Sequence, residues 1–186
     1  MSRHIAIIDA NVLYSAPIRD VLIQIAVAGL FDVRWTEDIH KEWIENLLRK
    51  RPDLKRASIE RTHDEMNDAI PNCLVSGYKQ IIPTLVLPDP DDYHVLAAAI
   101  TARCDVIVTQ NLKDFPQTAL SPHGIDAQHP DDFLHKHLQL FQKEFCAGLH
   151  KARNRLKNPS YSTEQYLENL KQHGLVKTVA KLEQLL

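Results

Sequence analysis

The stretch Ile5-Ala6-Ile7-Ile8-Asp9-Ala10-Asn11-Val12-Leu13 decides the fold. No polar residue interrupts Ile5 to Ile8, which fits a central parallel strand covered on both faces rather than a half-exposed one. Asp9 follows at the C-terminal end of that strand. In open α/β sheets ligands gather at this edge, because strand ends and helix starts converge there. Asp9 is therefore a candidate site residue. The alternative is a strand-end aspartate that caps the next helix or forms an Asx turn with Asn11, and other carboxylates must decide.

Outward from this strand, Ser15 and Pro17 start a helix whose Ile18, Val21, Leu22 and Ile25 recur at helical spacing until Gly29. Phe31 to Trp35 is a short strand, and Thr36 is an N-cap for a helix with Glu37 and Asp38 in its first turn and an inward stripe of Ile39, Trp43 and Leu47. The charged segment 49–69 predicts a helical hairpin broken near Pro52, its second helix starting at Asp53. Tyr78 to Leu87, interrupted by Pro83, predicts an edge-like strand and an extended loop. Val106 to Thr109 and Ile125 to Gln128 supply further strands, and Pro130 opens a helix with Phe133, Leu134, Leu138 and Phe141. From about Lys143 only helices follow. We expect a main unit over 1–142 and an accessory helical layer over 143–186, not an independent domain, with Leu175, Val179, Leu182 and Leu185 as its apolar stripe.

The second anchor is Asp89-Pro90-Asp91-Asp92-Tyr93-His94-Val95-Leu96-Ala97-Ala98-Ala99-Ile100, an acidic turn entering an alanine-rich helix. At about 100° per residue, Asp92 projects onto the middle of the face made by Val95, Leu96, Ala99 and Ile100, whereas Asp91 lies to one side. Asp89, Asp91 and Asp92 stay in competition, since one of them can simply cap the helix. A third acid, Asp114, follows the strand at Val106. Strand and helix alternation with right-handed crossovers places that edge beside the edge bearing Asp9. A fourth comes from the helix after Thr36, where Glu42 flanks the inward stripe and Glu45 points nearly opposite. Carboxylates converging in a cleft repel one another unless cations are present. Oxygen-only ligation suits Mg²⁺ or Mn²⁺ better than zinc.

In order and spacing, Ile8-Asp9-Ala10-Asn11-Val12-Leu13, Glu42, Asp91-Asp92-Tyr93-His94-Val95-Leu96-Ala97-Ala98-Ala99 and Val108-Thr109-Gln110-Asn111-Leu112-Lys113-Asp114-Phe115 resemble the PIN domain nucleases. The resemblance is closest to the VapC-like toxins of bacterial toxin-antitoxin pairs and covers about residues 4–135. It implies a Rossmann-like PIN fold with a central parallel sheet flanked by helices, here extended by C-terminal helices. It also implies a metal-dependent endoribonuclease with Asp9, Glu42, Asp92 and Asp114 as catalytic and metal-binding acids, supported by Asn11, Ser15, Thr109 and Asn111. An RNA substrate, a small antitoxin and a homodimer follow from the same resemblance. The insertion around 49–70 and the helices after Lys143 depart from the short toxins, so an RNA-processing nuclease outside a toxin pair stays open.

The 186 residues are 44% hydrophobic and 25% charged, with a formal charge of -2. They suffice for one sizeable core, and any basic footprint for RNA must be local. Arg49, Lys50 and Arg51, and Arg153 and Arg155 near the C-terminus, are possible RNA contacts or solvated helix faces. Cys73, Cys104 and Cys146 stand in no metal-ligand spacing and are expected to be reduced. No apolar run approaches the roughly 18 residues of a membrane span, and a soluble cytoplasmic protein is expected. His135 and His137 are expected at the surface, and Trp35 and Trp43 in the core. Two rivals remain: an aspartyl-phosphate phosphotransferase, which usually carries a second Asp where this chain has Asn11, and a metal-free binding module.

Overall fold

The computed structural model describes residues 3–185. Strand β1 (Ile5–Ile8) is central in a sheet of order β2-β1-β3-β4, with β2 at Asp32–Arg34, β3 at Val106–Val108 and β4 at Asp126–Gln128. Every pair is parallel, and the register aligns Ile8 with Val108 and Val108 with Gln128. Ala6, Ile7 and Ile8 are completely buried, as a strand covered on both faces must be. The chain leaves β1 to one side for β2 and crosses to the other for β3. The edge between β1 and β3 is therefore the topological switch point, where open α/β sheets bind ligands.

The helices are α1 (Ala10–Leu13), α2 (Ala16–Val27), α3 (Glu37–Lys50), α4 (Arg56–Ala69), α5 (Tyr93–Thr101), α6 (Gln117–Leu120), α7 (Pro130–Leu140), α8 (Gln142–Arg155), α9 (Thr163–Gln172) and α10 (Val176–Leu182). Helix α2 packs on β2, and α5 packs on β1 and β3. Thr36 caps α3, its hydroxyl accepting from the Ile39 amide at 3.0 Å. Trp35 and Trp43 are fully buried, as expected.

The C-terminal helices are continuous with this core. Helix α8 lies along α2 so closely that a Cβ on Gly148 would stand 2.8 Å from Ile25 Cδ1. Helix α10 packs on α7 and α9, burying Leu175, Val179 and Leu182 completely. A capping box of Ser162 and Gln165 starts α9.

Several expectations need correction. Tyr78–Thr84 is a 3-10 helix, not an edge strand. Gly77 at φ 76° turns the chain just before it, and Pro83 has a fixed φ that suits a helical turn as well as an extended edge. The pairing beside β2 occurs earlier, where Trp35 bridges Leu74 through amide bonds of 3.0 and 2.9 Å. Helix α4 starts at Arg56 rather than Asp53, whose carboxylate instead binds the Arg51 guanidinium at 2.8 and 2.6 Å. His137 is buried among Phe31, Phe133 and His4 rather than solvated, because α7 turns that face onto the core. Phe141, just past α7, and Leu185, past α10, are 40% and 37% exposed.

Candidate active site

The apolar run of β1 ends by carrying Asp9 to the switch point while leaving it only 2% exposed. Its Oδ2 accepts from Asn11 Nδ2 at 2.6 Å and from Thr109 Oγ1 at 2.7 Å. The Thr109 hydroxyl also accepts from Asn11 Nδ2 at 3.1 Å and from the Asn111 amide at 3.0 Å. Asn11 Oδ1 accepts from the Gln110 amide at 3.0 Å. One donor and two acceptor sites of the hydroxyl are thus all used. This closed network joins the ends of β1 and β3 and holds Asp9 in one orientation. Burial pushes the Asp9 carboxyl above the ordinary carboxylate range, Thr109 pulls it down and the nearby Glu42 charge raises it again.

The acidic turn sorts its three aspartates by role. Asp89 accepts from the Asp91 amide at 2.9 Å and so caps the 3-10 turn Pro90–Asp92. Asp91 is exposed, whereas Asp92 at the entry to α5 is half-buried. The Asp92 carboxyl is pushed up to about 7 by burial and by the charges of Asp9, Asp89, Asp114 and Glu42. The four acids expected to converge are thus electrostatic neighbours. Asp114 ends a short turn after β3 and is half-buried. Glu42 comes from α3, its Oε2 standing 3.4 Å from His94 Nε2. Glu45 lies outside the cluster, paired with Arg56 at 2.9 Å.

Among the described residues, no three carboxylate, imidazole or thiol groups are drawn together tightly enough to hold an ion as they stand. The donor set nonetheless fits a hard divalent cation, since oxygen donors dominate it. A positive charge there would relieve the repulsion that raises Asp92.

Two expected supports behave differently. Ser15 makes no bond to the acids; its hydroxyl is buried without a hydrogen-bond partner, as is Nδ1 of His94. Asn111 contributes its backbone amide, and its side chain is exposed. Of the basic residues, Arg51 is held by Asp53, and Arg153 donates to Thr163 Oγ1 at 2.6 Å. Lys50 lies over the Tyr14 ring at 5.1 Å. Arg49 and Arg155 are exposed, and Arg155 lines a cavity with Asp20 and Thr62.

Sequence reasoning missed Arg19. It is 7% exposed, donates to the Leu13 carbonyl at 2.7 Å and sits 4.8 Å from the Trp43 ring centroid. It ties the turn after Asp9 to the helix bearing Glu42. A cation one position along from Ile18 in an apolar stripe was the available signal. Also missed was Asp38, one helical turn before Glu42, whose Oδ2 accepts from Tyr78 Oη at 2.6 Å and pairs with Lys79 Nζ at 2.8 Å.

Residues 130–184 match a model described as the VapC50 C-terminal domain. A 52-residue stretch is 58% identical to the Mycobacterium tuberculosis protein named "Putative ribonuclease VapC50", covering 28% of this chain and 31% of that protein. The match therefore spans about a third of the relative's length. No solved structure matches the chain significantly. The PIN domain model matches residues 6–113, more than half of the chain, and takes in β1, the switch point and all but one of the four neighbouring acids. Sheet order, edge position and this match agree, and the chain belongs to the PIN domain family.

Proposed function

We propose that the protein is a metal-dependent endoribonuclease that hydrolyses RNA phosphodiester bonds, acting as the toxin of a type II toxin-antitoxin pair. The observation that carries this reading is the buried Asp9 carboxylate, fixed by Asn11 and Thr109 at the switch point between β1 and β3, with Asp92, Glu42 and Asp114 near enough for their charges to act on one another. Such a cluster of like charges repels itself and becomes useful once a cation neutralises it. The ribonuclease name of the similar mycobacterial protein and the VapC50 C-terminal match support the toxin role.

Asp9, Asp92, Glu42 and Asp114 are the residues that would hold Mg²⁺ or Mn²⁺. When bound, such ions activate water and stabilise the charge that develops on a scissile phosphate. The chain's own contribution is orientation. Asn11 and Thr109 fix the Asp9 carboxylate, so no reorganisation is needed when substrate arrives. His94 Nε2 stands 3.4 Å from Glu42 Oε2. The phosphotransferase alternative loses support, because the second position is an amide that donates to Asp9 instead of an acid.

An RNA substrate, a small antitoxin, a homodimer and a cytoplasmic location belong to this same reading. Among the described residues no helix is long and apolar enough to cross a membrane. Residues 143–186 serve as an accessory layer on the main unit, a role supported by the burial of α8 against α2 and of α10 against α7.

The test is cleavage of a mixed structured-RNA pool with Mg²⁺ or Mn²⁺, beside EDTA and an Asp9→Asn/Asp92→Asn control. Metal-dependent cutting that vanishes in the control is the expected result. Equal cutting by the control would remove the assignment.

A further inference from the structure

The acids of the candidate site are held unequally. Asp9 accepts bonds from two side chains, whereas Glu42 lies on a side chain 43% exposed. The neighbouring Trp43 is fully buried, so the backbone of α3 is anchored at this point while the rotatable bonds of the glutamate are not. The Glu42 charge acts on both Asp9 and Asp92, and like charges that are free to turn move apart. For Glu42 to serve with the other acids, some group must oppose that movement.

His94 is placed to do so. Among the described residues it is the one basic side chain within ion-pair distance of Glu42, with Nε2 at 3.4 Å from Oε2, a charge contact rather than a tight hydrogen bond. It stands in the first turn of α5 beside Val95, which is fully buried, and its own side chain is largely buried. The other ring nitrogen, Nδ1, is buried and has no hydrogen-bond partner. That orphan decides where the ring carries its proton. A proton on Nδ1 would leave a buried donor unmet and turn the Nε2 lone pair toward a carboxylate, and both are unfavourable. A proton on Nε2 meets Glu42 instead. The fully protonated ring presents the same N–H, so the contact does not depend on the charge of the imidazole.

We propose that His94 is a positioning residue of the candidate active site, whose Nε2–H holds the Glu42 carboxylate beside Asp9 and Asp92 for a divalent cation. It is not itself a ligand, because a protonated Nε2 has no lone pair to give a metal and Nδ1 is enclosed. Partners that orient a metal-binding acid in this way govern affinity for the ion without touching it. The inference rests on the metal-dependent reading above.

The test is calorimetric titration of Mn²⁺ into the full chain, stripped with EDTA and dialysed, with no RNA present. A glutamine amide reaches the place of Nε2 and an asparagine amide the place of Nδ1, so His94→Gln and His94→Asn separate the two nitrogens. His94→Ala and His94→Asn should weaken Mn²⁺ binding by about tenfold or more, and His94→Gln should stay within about threefold of the natural protein. The contrast between Gln and Asn decides the matter even where the alanine variant does not fold. Glu42→Gln should weaken binding on its own, and adding His94→Ala to it should cost nothing further, because the histidine acts through that carboxylate. Folded His94 variants that bind Mn²⁺ like the natural protein, equal losses in Gln and Asn, or a full further loss in the double variant each overturn the positioning role and leave the metal site standing. If the natural protein takes up no Mn²⁺, the metal-dependent reading fails and this inference fails with it.

Discussion

The Asp131 carboxylate at the start of α7 accepts the Thr178 amide at 2.9 Å across 47 positions of sequence, and the Lys177 amide at 2.8 Å. Thr178 Oγ1 returns a bond to the Asp131 carbonyl at 3.1 Å. Asp131 thus caps α10 from outside it, satisfying amides that a helix start leaves unpaired. Both residues are buried. Replacing Asp131 by Ala should cost about 1–3 kcal/mol, and Asp131→Asn less, because one acceptor remains. Urea unfolding measures this. An unchanged midpoint for Asp131→Ala would mean that α10 holds its place by apolar packing alone.

Removing one carboxylate from the cluster should separate stability from activity. The charges of Asp9, Asp89, Asp114 and Glu42 all disfavour the ionised Asp92 carboxylate, so Asp92→Asn should stabilise the protein in EDTA by about 1 kcal/mol, a rise of about 2–4 °C in Tm. Mn²⁺ should raise the Tm of the natural protein and leave that of the variant nearly unmoved. Thermal scans with and without the ion decide this, and a variant that melts lower in EDTA would contradict the crowding.

Thr109 holds Asp9, Asn11 and the Asn111 amide through one hydroxyl. Thr109→Val keeps the shape and loses all of these bonds, at about 1–3 kcal/mol of stability. On the proposed nuclease reading, cleavage should fall by about tenfold or more, as expected when a group at the site is misoriented. Thr109→Ser should restore most of both. If Val cuts as fast as Thr, the orientation of Asp9 does not depend on this network.

Burial keeps His137 below its ordinary value of 6.5, opposed by its bond to the Phe133 carbonyl at 2.8 Å and assisted by the charges of His4 and Lys136. The folded state therefore leaves this ring neutral where the unfolded chain takes up a proton. The unfolded state binds more protons as pH falls below 6.5, so this contribution to stability is complete above that value and is lost on acidification. Between about pH 7.5 and about pH 5.5, the natural protein should lose more stability than His137→Leu. Parallel slopes in urea titrations across that range would show that His137 protonates without unfolding.

Much of this was legible along the chain because it is governed by local chemistry. An unbroken apolar run from Ile5 to Ile8 fits a strand buried on both faces, which puts the acid that ends it at the sheet's edge. Helical periodicity set Asp92 apart from Asp91, since a rotation of about 100° per residue decides which carboxylate turns inward. Thr36 announced a helix start through a side chain that binds an amide a few residues away. Other features depend on partners far off in sequence. Nothing near Tyr78 indicates that its hydroxyl meets Asp38 or that this segment, strand-like in composition, forms a 3-10 helix. His137 is solvated in any isolated helix and is buried only because Phe31 and His4 come to lie against it. The sequence by itself determined the parallel sheet and the positions of its acids, because spacing and periodicity act over a few residues. Only the tertiary structure decided which polar groups are paired, which basic residues are free and what lies beside the acids, because those depend on desolvation and on contacts between segments up to a hundred residues apart.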